Sequence, residues 1–313
     1  MNIFRATLRQ TLGSLRLIWL LYAITLVMAL VAALPFYNTL KAEAQNSLAF
    51  LNLLDGVDYT IYSDFMHRSS RAIMPLLSVG RWLGLVHLFV SVFVAGGILL
   101  RFAQPRVPFS VGLFFQGCVQ YVGRFLRLFA VSFLFVVVGG GIWLVMGTLV
   151  NVLLEDVLTE RGLFWIGAGF FALFMLTVTL VLCIGDYAKV LMFREDEHRA
   201  LRAFGQAGRL VLRHLGRTYG IYWLLIVVGT GLFGIYFLID GWVMMSGWAT
   251  IIAMLLVQQA LIFARVLLKV WSLGIAYTTY ETLPKPVITV SPVNSSFSPI
   301  TIENTGDRET AID

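Results

Sequence analysis

Charge vanishes from this chain over six long stretches and returns at both edges of each one. They cover residues 17–40, 82–100, 128–154, 162–185, 218–239 and 241–264, with lengths of 24, 19, 27, 24, 22 and 24 residues. A helix rises about 1.5 Å per residue and the hydrocarbon slab of a bilayer is about 30 Å thick, so each stretch is long enough to cross, the second only just. The pattern predicts an all-α, polytopic transmembrane bundle of six spans, near 17–38, 80–100, 128–150, 163–185, 219–239 and 247–268.

Outside these stretches the apolar positions recur with helical spacing. Gln116, Gln120, Arg124 and Arg127 fall on one side of a helix, and Phe114, Cys118, Tyr121, Val122 and Phe125 on the other. Ahead of the fifth span the pattern is stronger: His198, Arg202, Gln206, Arg209, Arg213 and Arg217 form a polar stripe opposite Leu201, Phe204, Gly208, Val211 and Leu215. A shorter version opens the chain, with Phe4, Leu8, Leu12 and Leu15 facing away from Arg5, Arg9 and Arg16. Three amphipathic helices are therefore expected along the interface, at 2–15, 108–126 and 195–216. A shift of 90 residues lays Gln116 on Gln206, Arg127 on Arg217 and Phe129 on Tyr219. The implied unit, an interfacial helix followed by a transmembrane hairpin, recurs three times. Between the first two spans, 41–77 reads as a pair of short helices around Asp55-Gly56, and 282–313, with four of the chain's eight prolines, reads as a disordered tail.

Composition agrees: 59% of the 313 residues are hydrophobic and 13% charged, and the mean hydropathy is +0.85. Soluble domains carry about 25% charge, so a water-soluble fold is excluded. The net charge of +6 comes from basic residues beside the spans, which argues for membrane topology and against nucleic acid. Segments 1–16, 101–127 and 186–217 hold fourteen Lys and Arg, whereas 38–81, 151–161 and the turn at Asp240 hold five. The positive-inside rule then places both termini in the cytoplasm and 41–77 outside it. The first span follows a basic leader but is longer than a signal core and has Pro35-Phe36 after Ala32-Ala33-Leu34, so it reads as an uncleaved anchor. Cys118 and Cys183 are expected on the reducing side, with no disulfide and no metal.

Candidate chemistry is sparse. The polar residues inside spans are His87, Asn151, Thr177, Thr179, Gln258 and Gln259, and no charged side chain is expected at mid-membrane, which argues against a proton pump or a charged filter. His87, Gln258 and Gln259 are candidate intramembrane contacts, as interhelical bonds or as the lining of a polar cavity. Gly80 and Gly84, Ala168 and Ala172, the run Gly139-Gly140-Gly141, and Gly229, Gly231 and Gly234 suggest close helix approach. The last three match a dinucleotide loop only in spacing, because no strand precedes them. Asp64, His67, Ser69 and Ser70 crowd one short segment in a way unsuited to a catalytic triad. Asp186 and Lys189 read as an interfacial ion pair. No catalytic, cofactor or metal site is expected. Arg202, Arg209, Arg213, Arg217, Arg124 and Arg127 are the candidate contacts to anionic lipid headgroups or to a membrane-protein partner, a second copy included.

The succession Gly185-Asp186-Tyr187-Ala188-Lys189, Arg199-Ala200-Leu201-Arg202-Ala203-Phe204 and Arg213-His214-Leu215-Gly216-Arg217-Thr218 resembles poorly characterised bacterial six-helix inner-membrane proteins. Their looser relatives include the membrane domain fused to some glycerophosphodiester phosphodiesterases. The resemblance implies a bundle in the bacterial inner membrane without an established activity. No phosphodiesterase domain or acidic metal-binding constellation accompanies it here, so no catalytic residue is carried over. The expected function is a non-enzymatic scaffold or accessory subunit of a membrane assembly; a transporter or lipid-handling permease is the alternative.

Overall fold

The computed structural model describes residues 2–44, 70–243 and 247–283. Eight helices and no strand occur among them: α1 (Asn2–Leu12), α2 (Leu15–Ala44), α3 (Ser70–Ala103), α4 (Val111–Leu154), α5 (Glu160–Arg194), α6 (Ala200–Arg213), α7 (Leu215–Trp242) and α8 (Trp248–Thr282). All but α1 and α6 are long and apolar enough to cross a bilayer, so the chain is a multi-pass helical membrane protein. Most of the expected outer helical pair, the Asp64 to Ser69 cluster and the tail from 284 onward lie outside the described residues.

Two joints between short and long helices follow from local chemistry. Gly13 and Ser14 separate α1 from α2, and the Ser14 hydroxyl accepts from the Arg101 guanidinium at 3.2 Å, tying that joint to the end of α3. His214, with φ −125° and ψ 37°, separates α6 from α7. The third expected joint is absent. α4 runs unbroken through Gly123-Arg124-Phe125-Leu126-Arg127 for 44 residues, about 66 Å, so 108–126 is not a separate interfacial helix. Its basic residues interrupt hydrophobicity but carry good helix propensity, and nothing there stops the ladder.

α8 is the hub: α1, α2, α3, α5 and α7 all pack against it, while α3, α4 and α5 form consecutive antiparallel neighbours and α6 lies on α4 and α5. The fully buried side chains, among them Leu17, Ile98, Leu99, Phe125, Leu128, Met192, Val211 and Val270, gather toward the arginine-rich ends of the helices. Toward the opposite ends, residues such as Leu34, Trp82, Leu153, Trp165, Trp242 and Trp248 are exposed, as a lipid-facing surface with interfacial tryptophans requires. α1 is held by Phe4 against Trp271, ring centroids 4.3 Å apart, and by a 3.0 Å bond between the Thr7 and Thr278 hydroxyls. Ala203, Phe204, Ala207 and Val211 bury one face of α6, with Phe204 stacked on Phe135 at 4.8 Å.

The tightest crossing is between α3 and α4. A Cβ added to Gly96 would lie 2.6 Å from the Gly117 carbonyl oxygen, and one on Gly97 would collide with Phe114. Most of the glycines singled out by spacing behave otherwise: among the described residues nothing lies within 4 Å of a Cβ at Gly80, Gly84, Gly141, Gly231 or Gly234. Gly139 and Gly140 do face Thr177 and Phe174 of α5 closely, while Gly229 has only ordinary contact with Leu268.

Candidate functional site

Two helices each present a pair of polar residues one turn apart, which helical geometry places on a common face. On α3 they are His87 and Ser91; on α8 they are Arg265 and Lys269. The Lys269 ammonium donates to the Ser91 hydroxyl at 2.6 Å. Ser91 stands nine residues inside α3 from the end of its charge-free stretch at Leu100, about 14 Å along the axis. Lys269 therefore delivers its charge to a level of α3 where no charge was expected. Arg265 makes no hydrogen bond or ion pair among the described residues, and His87 lies in the electrostatic field of both cations.

A crevice of about 350 Å³ opens between α2, α3 and α8, with His87, Ser91, Arg265 and Lys269 on its wall beside Leu21, Ile24, Met28 and Val94. Thr25 of α2 also borders it, its hydroxyl donating to the Leu21 carbonyl at 2.9 Å. On the other side of the same two cations a second crevice, about 560 Å³, runs between α7 and α8 past Leu225, Ile226, Gly229 and Phe233. Among the described residues neither lining contains a carboxylate.

The other intramembrane candidates are engaged. The Tyr22 hydroxyl donates to Gln259 Oε1 at 2.7 Å, joining α2 to α8, and Gln258 Nε2 donates to the Tyr236 hydroxyl at 3.3 Å, joining α7 to α8. These amides act as interhelical bonds. Only His87 of the three opens on a cavity with charged walls. Asp186 and Lys189 form an ion pair at 2.8 Å.

No family model, curated protein or solved structure matches this chain.

The arginine candidates divide. Arg124 pairs with Asp196 and lies 3.3 Å from His198 Nε2, and it holds the Asp196 carboxyl below the usual carboxylate range, chiefly through that hydrogen bond. Arg202 stands 3.7 Å from Glu197. Together with Arg127, His198 and Arg199 it rims an open recess of about 550 Å³ floored by Val131, Ala200 and Leu201. Arg217 donates to the Thr282 hydroxyl at 3.4 Å. Arg209 and Arg213 are exposed on α6 and do not border the recess.

Arg265 lies within the span expected near 247–268 and Lys269 one residue past it, but as charges that bound the sixth charge-free stretch both read as the polar edge of that span, and the sequence singles out neither. α8 instead continues to Thr282, and its lysine points back along the helix, as side chains do, toward the N-terminal end that lies deeper among the spans. The matching one-turn spacings, His87 to Ser91 and Arg265 to Lys269, were the available signal. Chemically the pair can neutralise and bind an anion: the Arg265 guanidinium, with no partner among the described residues, offers a planar fork, and an ammonium fixed by one bond keeps two donors. Among the described residues no group of three metal-ligating side chains comes together.

Proposed function

We propose that this protein is a non-enzymatic lipid-handling protein of the bacterial inner membrane that binds an anionic amphiphile beside α8, with the arginine-rich ends of its helices in the cytosol. The observation that carries this reading is the placement of Arg265 and Lys269, with no carboxylate among the described residues of the linings, between two largely apolar crevices. Unpaired cations among spans are costly, and they persist where a ligand or pathway needs them. An amphiphile meets both demands at once, its acid group on the cations and its hydrocarbon in the crevices. A scaffold requires neither feature, which is why the geometry supports lipid handling over the scaffold or accessory-subunit expectation. The basic residues around 124–127 and 199–217 fit the same orientation, since they meet the anionic headgroups of the cytosolic leaflet.

The test is native mass spectrometry of the purified chain with its co-purified lipids. Wild type should retain anionic lipid in excess of its share of the host membrane, and the double variant R265Q/K269Q should lose that excess while keeping its elution volume and helix content. Identical lipid profiles for the two proteins would refute the reading.

A further inference from the structure

Arg265 and Lys269 occupy the ridge of α8 that the two crevices share. Ile262 and Val266 flank it on the α2–α3 side; Leu261 and Leu268 flank it on the α7 side. An acid group seated on the ridge thus has separate apolar slots to its left and right. Among the described residues the crevice walls supply two cationic side chains and no carboxylate, and the acid whose field reaches Lys269, Asp186, is bonded to Lys189. A monoanion would match one of the two cations, whereas a dianion matches both. Phosphomonoesters carry about 1.5 to 2 negative charges at neutral pH, and their three terminal oxygens suit a guanidinium fork plus an ammonium. Phosphodiesters carry one.

We infer that the ligand is a two-chain amphiphile with a phosphomonoester head, of the phosphatidate class, whose phosphate sits on Arg265 and Lys269 and whose chains lie one in each crevice. This rests on the proposed anionic-amphiphile site and specifies its head and tails.

The experiment titrates the full-length detergent-solubilised protein with phosphatidate, lysophosphatidate, phosphatidylglycerol and phosphatidylcholine, and reads bound lipid by native mass spectrometry. Phosphatidate is expected to bind about tenfold more tightly than phosphatidylglycerol or lysophosphatidate, a step of about 1.4 kcal/mol. R265Q and K269Q should each bring phosphatidate down to the phosphatidylglycerol level. Equal binding of phosphatidate and phosphatidylglycerol, both lost in the variants, would overturn the phosphomonoester head and leave an anionic site standing. Equal binding of lysophosphatidate would overturn the two-crevice seat. Phosphatidylcholine binding as well as phosphatidate, or variants that bind like wild type, would overturn the site itself and the reading beneath it.

Discussion

Replacing Gly96 by Ala tests the packing that holds α3 against α4. The new methyl carbon would lie 2.6 Å from the Gly117 carbonyl oxygen, 3.2 Å from its carbonyl carbon and 3.3 Å from Cys118 Cα. All three are backbone atoms, so no rotamer change makes room. Ordinary contact begins near 3.4 Å, so the helices must part locally by about 0.8 Å. Overpacking of this kind costs about 1–3 kcal/mol, against which alanine's helix propensity returns about 1 kcal/mol. The net expectation is a loss of about 0–2 kcal/mol, centred near 1 and concentrated at this crossing. The protein carries its own probe there, because Cys118 is fully buried against Gly97, and Cys183, buried on α5, serves as an internal reference. In detergent the rate of thiol labelling at Cys118 should rise about fivefold in Gly96→Ala, since opening free energy sets the exposed fraction. Gly84→Ala on the same helix, with no atom of the described residues within 4 Å of the new carbon, should label at the wild-type rate. Equal Cys118 rates in the two variants would refute the close-contact reasoning.

Two further outcomes are expected away from that crossing. A double-mutant cycle on Tyr22→Phe and Gln259→Leu should return a coupling of about 0.6 kcal/mol, the mean for interhelical hydrogen bonds in membranes, when unfolding is followed in mixed micelles; zero coupling would mean the 2.7 Å bond contributes nothing. The Arg124–Asp196 pair anchors the linker between α5 and α6, and a depressed carboxyl pKa means its contribution is complete above the ordinary carboxylate value, about 3.9, and is lost as pH falls through the lower folded-state value. The protection of the Glu195 amide, which donates to the Leu191 carbonyl, measured against its intrinsic exchange rate at each pH, should therefore hold from neutral pH to below about 3.9 and then fall, whereas Asp196→Asn, which tolerates the same left-handed φ of 53°, should show the reduced protection already at neutral pH. A wild-type threshold at or above the ordinary value would refute the clamp.

The six spans were legible because hydrocarbon tolerates no charge over a run of about 20 residues, a constraint each segment satisfies alone. Helix ends were less legible, since a charge limits immersion without ending a helix. The stretch closing at Gly185 runs on to Arg194, and α4 passes through Arg124 and Arg127 without a break. Glycine spacing misled for a related reason. Gly80 and Gly84 share a helix face, but a face says nothing about what lies opposite, and Gly96 meets Gly117 only because the turn at 104–110 sets the register of α3 on α4.

The site shows the same boundary between local and tertiary information at its sharpest. Gln258, Gln259 and His87 were visible as polar residues in apolar runs, and the structure assigns the two amides to helix contacts. Arg265 and Lys269, both exposed on α8, were hidden by the rule that found the spans, because reading charge as an edge discards any cation whose side chain reaches back along its helix. What sets the level of the Lys269 ammonium is not its distance from the last uncharged residue of its own helix. It is a partner 178 residues away, Ser91, whose depth α3 fixes independently. A cation at the end of a charge-free run is thus ambiguous until the polar residues of neighbouring spans are compared with it, and one-turn pairs on two helices are the pattern to compare. If Ser91→Ala leaves Arg265 and Lys269 holding lipid while His87→Ala does not, the α3 contribution comes from the imidazole; the 2.6 Å bond predicts the reverse ranking, with Ser91→Ala the more damaging change.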